Sequence, residues 1–372
     1  MYYQLFNDTK KYIFNNINHL DTLDNKSNIE LLDCSYNQLT ELPHLPSNLI
    51  ELHCSNNQLT QLPQLPDSLI KLYCGINQLT QLPNLPINLQ YLTCYNNNLI
   101  QLPKLPHNLK IIHCSNNKLT ELLQLPDNLS HLNCENNQLT ELLQLPDNLK
   151  ILYCYNNQLT ELPKLPNNLK CLHCENNKLT QLPQLPFNLI ELDCSNNQLT
   201  QLPSLPDNLI ELDCSDNQLT KLPQLPVNLK YLYCYNNKLN QLSQLLDSLI
   251  YLDCSNNQLT QLPQLPESLI YLFSSNNKLI QLPHLPDSLK KLNCNTNQLT
   301  QLSQLPYNLK FIQCYNNSKN LHKYIIHCKS LDIHKKYDKY RYIDTLNDLL
   351  NYKIENYYYF RIIKYYNKIN KY

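Results

Sequence analysis

The sequence predicts a repeat solenoid, with one curved parallel β-sheet on its concave face, an extended polyproline-like convex face and a helical cap at each end. A 20-residue unit recurs without insertion from about residue 29 to 317. Within the unit, apolar and polar residues alternate, as in Glu51-Leu52-His53-Cys54-Ser55, which is the period of a half-buried strand. All 23 prolines fall at two positions of the unit, those of Pro43 and Pro46. They remove amide donors and favour extended backbone, so the return segment is expected to carry no regular helix.

Each part of the unit then has a physical role. Leu52 and Cys54 point inward from the strand, and Leu59, Leu62, Leu65 and Leu69 point inward from the return. Neither segment can bury its apolar side alone, so copies must stack about 4.8 Å apart around a continuous core. Fourteen full copies and a half-copy give fifteen strands, a sheet roughly 70 Å long. Asn57 recurs in every copy from Asn37 to Asn317. A buried turn leaves backbone groups unpaired, and an amide side chain offers donor and acceptor together, so these Asn are expected to bond to the next copy.

The position of Cys54 holds fourteen thiols from Cys34 to Cys314, with Ser274 in one copy. Zinc needs four donors converging tetrahedrally, whereas one thiol per rung makes a straight column. The column reads as small apolar core residues, free of metal. Leu123 and Leu143 replace one proline each, and Ser243 and Leu246 replace both in another copy. These changes read as drift, with local softening near 243–246 as the alternative.

The pattern Leu49-x-x-Leu52-x-Cys54-x-x-Asn57-x-Leu59 resembles the leucine-rich repeat, with Cys where Leu or Val is usual. The following Leu-Pro-x-Leu-Pro is similar to the short 20-residue class of bacterial secreted effectors, and similar arrays occur in giant-virus proteins, whose AT-rich composition this chain shares. The resemblance covers about three quarters of the chain. It implies a protein-binding fold and leaves the partner open. Some effectors of the class carry a C-terminal ubiquitin-ligase domain with a Cys-x-Asp motif. Cys328-Lys-Ser-Leu-Asp332 does not match that spacing, so the ligase activity is not carried over.

Composition narrows the function further. Lys plus Arg and Asp plus Glu are 30 each, so no global basic field exists for nucleic acid or an anionic membrane. The single glycine, Gly75, cannot build a phosphate loop. No run of apolar residues reaches transmembrane length, and the N-terminus shows no signal-peptide pattern, so the reading is intracellular with reduced thiols. Residues 1–28 carry Phe6, Ile13, Ile17 and Leu20 at roughly helical spacing and read as an N-terminal helical cap to the solenoid at 29–317. Residues 318–372 read as a basic, Tyr-rich helical C-terminal cap. They hold twelve Lys/Arg against five Asp/Glu, and Ile343, Leu346, Leu350, Ile354 and Tyr358 are spaced for an amphipathic helix. This tail motivates the alternative reading, nucleic-acid or acidic-membrane binding.

The variable outward strand positions carry the functional prediction, a non-enzymatic protein–protein interaction module without cofactor. Consecutive copies present Glu191, Asp193 and Ser195, then Glu211, Asp213 and Ser215, then Tyr231, Tyr233 and Tyr235. Tyr251, Asp253, Tyr271 and Phe273 follow. An acidic patch beside an aromatic one fits a partner with basic and apolar surface. Smaller clusters are Tyr73, Tyr91 and Tyr95, and Tyr153 with Tyr155. Cys171 stands apart: it takes an outward position beside His173, with Glu191 and Asp193 on the next rung. Such a group can form a nucleophile or a metal site. On an open face, without a pocket to exclude water, it is read as neither.

Overall fold

The computed structural model describes residues 11–13, 29–302 and 304–318. It contains one parallel sheet of sixteen three-residue strands in strict sequence order. Strand β1 is Lys11–Ile13 and β2 is Leu31–Asp33. From β2 the strands recur every 20 residues, including β8 (Ile151–Tyr153), β9 (Cys171–His173), β10 (Glu191–Asp193), β11 (Glu211–Asp213), β12 (Tyr231–Tyr233), β13 (Tyr251–Asp253), β14 (Tyr271–Phe273), β15 (Lys291–Asn293) and β16 (Phe311–Gln313). Register is fixed, so equivalent residues of neighbouring copies lie side by side, as Leu192 does between Leu172 and Leu212. A slip of one residue would turn every core Leu to the wrong face.

The core is the expected one. The Leu at the strand centre and the Leu at the position of Leu59 are buried along the array, apart from the partly buried Leu39 and Ile312 at its two ends, and the ladder Cys are buried throughout. Burial pushes these thiols up, to about 12 at Cys114 and about 11 at the half-copy's Cys314. The structure also supplies a reason for cysteine. Several of these thiols donate to a carbonyl of the following strand, as Cys34 Sγ does to His53 O at 3.4 Å. Ser274 Oγ makes the same contact to Asn293 O at 3.4 Å, so serine can replace cysteine without leaving a buried polar atom unpaired.

Three tracks of hydrogen bonds join the copies. The first is the Asn ladder. Asn57 Nδ2 donates to Cys34 O of the preceding copy at 2.9 Å and to Cys54 O of its own copy at 3.1 Å, while its Oδ1 accepts from Leu39 N at 3.1 Å. The ladder therefore reaches backward to the copy before, and not forward as the sequence reading had it. The second track is backbone: residue 56 and its equivalents sit at φ of 49–58° and donate to the next copy, as Asn56 N does to Gly75 O at 3.0 Å. That left-handed turn explains why Asn dominates the position, since its short polar side chain tolerates it best after glycine. The third track lies on the convex side. Asn at the position of Asn88 donates to a carbonyl 21 residues earlier, and Ser68 Oγ donates to Leu49 O at 2.7 Å.

The return segment is extended, with one tight turn per copy closed by a bond such as Leu69 N to Pro66 O at 3.0 Å. Among the described residues it contains no helix. The copy without prolines keeps this turn, with Leu249 N to Leu246 O at 3.0 Å, and its only trace of softening is the buried Ser243 Oγ, which finds no partner among the described residues. Leu123 and Leu143 are about half exposed at the proline positions.

The N-terminal helix needs correction at residues 11–13. Lys11-Tyr12-Ile13 forms β1 and pairs in parallel with β2, so Ile13 lies in a strand. An open edge of unpaired backbone groups on β2 attracts a strand more strongly than a loose apolar spacing favours a helix. The remainder of 1–28, and the C-terminal cap beyond Ser318, lie outside the described residues. No described helix is long and apolar enough to cross a membrane.

Two stability predictions follow from the tracks. Asn217 Nδ2 donates to Cys194 O and Ser215 O, each at 3.0 Å, and its Oδ1 accepts from Leu199 N at 2.9 Å, while the Gln218 side chain is exposed. Asn217→Ala is expected to cost about 1–3 kcal/mol and Gln218→Ala at most about 0.5, measured as denaturant midpoints; equal shifts would contradict the ladder. Ile76, β-branched, occupies the left-handed position at φ 54°. Ile76→Asn restores the usual residue there and should stabilise by about 1 kcal/mol, read in the same assay.

Candidate functional site

The concave face is built from three outward positions per copy: the first and third residues of each strand, and the residue two further on. Alternation puts all three on one side. Their depth differs: first-position residues are mostly half-buried, and the residue two beyond the strand is buried in about half of the copies.

Four of the grouped aromatic side chains, Tyr233, Tyr251, Tyr271 and Phe273, come together, whereas Tyr73 and Tyr153 of the smaller groups pack on His53 and His173. Tyr251 on β13 is the centre. Its ring lies 4.7 Å from Tyr233, 5.9 Å from Tyr271 and 5.4 Å from Phe273, all in tilted geometry. Edge-tilted packing at these distances is the favourable arrangement for aromatic quadrupoles. Lys291 Nζ stands 5.7 Å from the Tyr271 ring centroid and closes one side. Tyr231, Tyr233, Tyr235, Tyr251, Tyr271 and Phe273 are all half-buried, with apolar area available to a partner. Burial, together with the nearby carboxylates, raises the phenols of Tyr233 and Tyr235, which stay neutral donors. A second ring pair, His53 with Tyr73 at 4.4 Å, sits beside the Glu51–Lys71 ion pair of 2.7 Å.

The carboxylates divide into two kinds. Glu211 is half-buried at a first strand position, in register with Glu191 and Tyr231. The third-position aspartates are drawn into the backbone instead. Asp193 is only 8% exposed, and its Oδ1 accepts from Ser195 N at 3.1 Å and Ser195 Oγ at 2.7 Å. Asp213 accepts from Ser215 N and Oγ at 3.0 and 2.5 Å, and Asp253 from Ser255 N at 3.0 Å. Asn133 and Asn293 close the same turn on the residue two further on. An Asp-x-Ser motif at this position is thus a turn device, a signal present in the sequence and read there only as charge. Burial and the Asp193 charge push the Asp213 carboxyl well above the ordinary carboxylate range.

Cys171 departs from its expected setting. The face around it is not open: the residue is 4% exposed. Tyr153 on β8 accounts for part of the cover, with its ring 4.8 Å from His173 and its hydroxyl 3.9 Å from Cys171 Sγ. His173 Nε2 lies 2.9 Å from Glu191 Oε1. Burial opposes the imidazolium, but hydrogen bonds with Cys171 and Glu191 and the charge of Glu175 outweigh it and hold the His173 pKa well above the usual value. Glu175, missed by the sequence reading, is 1% exposed at the third outward position of that copy.

The leucine-rich-repeat family model matches residues 188–209 and 248–269. Solved structures align over most of the array. YopM from Yersinia pestis, titled a leucine-rich effector protein, is 39% identical, with 82% of this chain and 89% of that one covered at a TM-score of 0.71. A leucine-rich-repeat protein of Leptospira interrogans is 27% identical over 89% of this chain and 99% of that one, with a TM-score of 0.62. The functional domain of InlJ from Listeria monocytogenes, described as including a cysteine ladder, is 27% identical over 73% and 69%, with a TM-score of 0.59. No curated protein sequence matches the chain.

The raised Asp213 pKa has a definite sign. A carboxyl raised in the fold binds its proton more tightly than the unfolded chain does. Its burden on stability is absent at low pH and grows as pH rises through the usual carboxylate range towards the folded value. Asn keeps the acceptor for Ser215. Asp213→Asn should therefore raise the unfolding midpoint at pH 8 relative to wild type and do so less at pH 4; an equal effect at both would contradict the assignment.

Proposed function

The chain belongs to the leucine-rich-repeat family, and from that premise we propose that it is a non-enzymatic interaction module whose concave sheet binds a protein partner at β11–β14. The observation that carries the reading is the ring network around Tyr251. Three aromatic side chains from the same and flanking strands pack on the Tyr251 ring, beside Glu211, Asp213 and Asp253. Strands pinned in register hold these rings in place, so little side-chain entropy is lost on docking. The partner presents apolar groups to the rings and basic groups to the acidic side. Glu211 serves steering better than Asp193 or Asp213, because those aspartates are committed to turns. Glu191, engaged with His173, contributes less.

The division of labour is testable with a partner recovered from the native cell. Tyr233→Ala/Tyr251→Ala should weaken binding by more than 2 kcal/mol, about thirtyfold, with circular dichroism unchanged. Glu211→Lys should chiefly slow association, and the difference should shrink in high salt. A partner whose affinity and association rate are the same for wild type and both variants does not use this face.

A further inference from the structure

We propose that Cys171, His173 and Glu191 bind one divalent transition-metal ion, zinc by their ligand chemistry, on the concave face between β9 and β10.

The three ligand atoms, one sulfur, one imidazole nitrogen and one carboxylate oxygen, all lie within 4.8 Å of one another. The backbone dictates this. Cys171 and His173 are two residues apart on β9 and so share a face, and Glu191 is the in-register neighbour of Cys171 on β10. His173 Nε2 and Glu191 Oε1 are already 2.9 Å apart. Bond lengths of 2.0–2.3 Å place the ligand atoms of a tetrahedral zinc site about 3.3–3.7 Å from each other. The group therefore closes on an ion through side-chain adjustments of about 1 Å, with no movement of the sheet. Thiolate, imidazole and carboxylate together are the donor set of zinc, and exclude magnesium and calcium, which take oxygen.

The surroundings fit a cation independently of that triad. Glu175 and Asp193 also bring carboxylate oxygens within 4.8 Å of one His173 ring nitrogen and of each other. Across β8 to β10 the outward positions hold Glu175, Glu191 and Asp193, with His173 and no Lys or Arg. Two of these carboxylates, Glu175 at 1% and Asp193 at 8% exposure, are taken out of water. Such a concentration of negative charge at low dielectric favours a divalent ion. Tyr153 acts as a positioning residue, packing its ring at a tilt against His173 and reaching Cys171 with its hydroxyl. The fourth coordination place falls to Asp193 or a water. The ladder thiols have no part in this, because each points into the core from the opposite side of its strand.

The test uses the full chain, purified under reducing conditions and stripped with a chelator. Zinc affinity is measured by competition with a chromophoric chelator, and Co2+ serves as the spectroscopic probe. One equivalent per chain should bind, with a thiolate-to-cobalt charge-transfer band. Cys171→Ser should abolish the band, and His173→Gln and Glu191→Gln should each weaken zinc by about tenfold or more. Cys194→Ser in the ladder and Cys328→Ser in the tail should change neither. Zinc should raise the thermal midpoint of wild type by clearly more than that of the Glu191→Gln variant at the same zinc concentration, and this variant, nearly isosteric, keeps the test open if the other two fail to fold. Absence of binding at micromolar zinc, a charge-transfer band retained in Cys171→Ser, or binding lost with Cys328→Ser or Cys194→Ser would each overturn the proposal. Partner binding enters none of these measurements.

Discussion

Everything in this array depends on one constraint: no copy can satisfy its own buried turn. The carbonyls of Cys34 and Cys54 are reached by the same Asn57 amide, so each Asn belongs to two copies at once. Because an unpaired buried polar group costs more than a hydrogen bond returns, the bond to the neighbour is obligatory. This makes the solenoid a chain of nearest-neighbour couplings. It also explains the uninterrupted 20-residue period. A single inserted residue would take the Asn amide, the left-handed turn and the convex Asn or Ser out of reach of the preceding copy in one step.

Much of this is legible in the sequence because the code is repeated fifteen times. Strand, core Leu, core Cys and the existence of an Asn ladder are all given by period and alternation. What period cannot give is direction, depth or competition. The Asn reaches backward because the turn after the strand leans its side chain over the preceding copy, a matter of backbone geometry alone. Cys171 is assigned correctly to the outward face by alternation, yet alternation says nothing of how far Tyr153, in register with His173 on the neighbouring strand, leans over it. Ile13 fits a helical spacing with Ile17 and Leu20, but the unpaired edge of β2 offers its backbone a ladder of hydrogen bonds. Spacing is read one segment at a time, and edges are properties of the assembled sheet.

The same distinction separates display from structure on the concave face. A carboxylate at the third strand position is closest to the backbone of the following turn, and where serine follows two residues later it is captured, as at Asp193 and Asp213. An aromatic ring at that position cannot make the turn bond and instead packs sideways, as Tyr233 does on Tyr251. Residue type therefore decides whether the position serves the fold or faces a partner. Counting acidic residues along the face overstates its charge, and counting rings does not overstate its apolar area.

This sorting singles out the copy at Cys171 as unlike the rest. Among the described copies, the first strand position is half-buried everywhere except at Cys171, and where the third outward position is buried it otherwise holds Ser, Gly or Asn. Here Cys171 and Glu175 are both nearly inaccessible, and the side chain between them, His173, is gripped by Tyr153 and Glu191 from the two flanking strands. No turn requires these residue types, since serine at the position of Glu175 and asparagine at that of His173 complete equivalent copies elsewhere. Burying a carboxylate where serine suffices works against stability. A compensating charge brought into the same volume removes that conflict, and the donors that would hold it are already aligned by the register of two parallel strands.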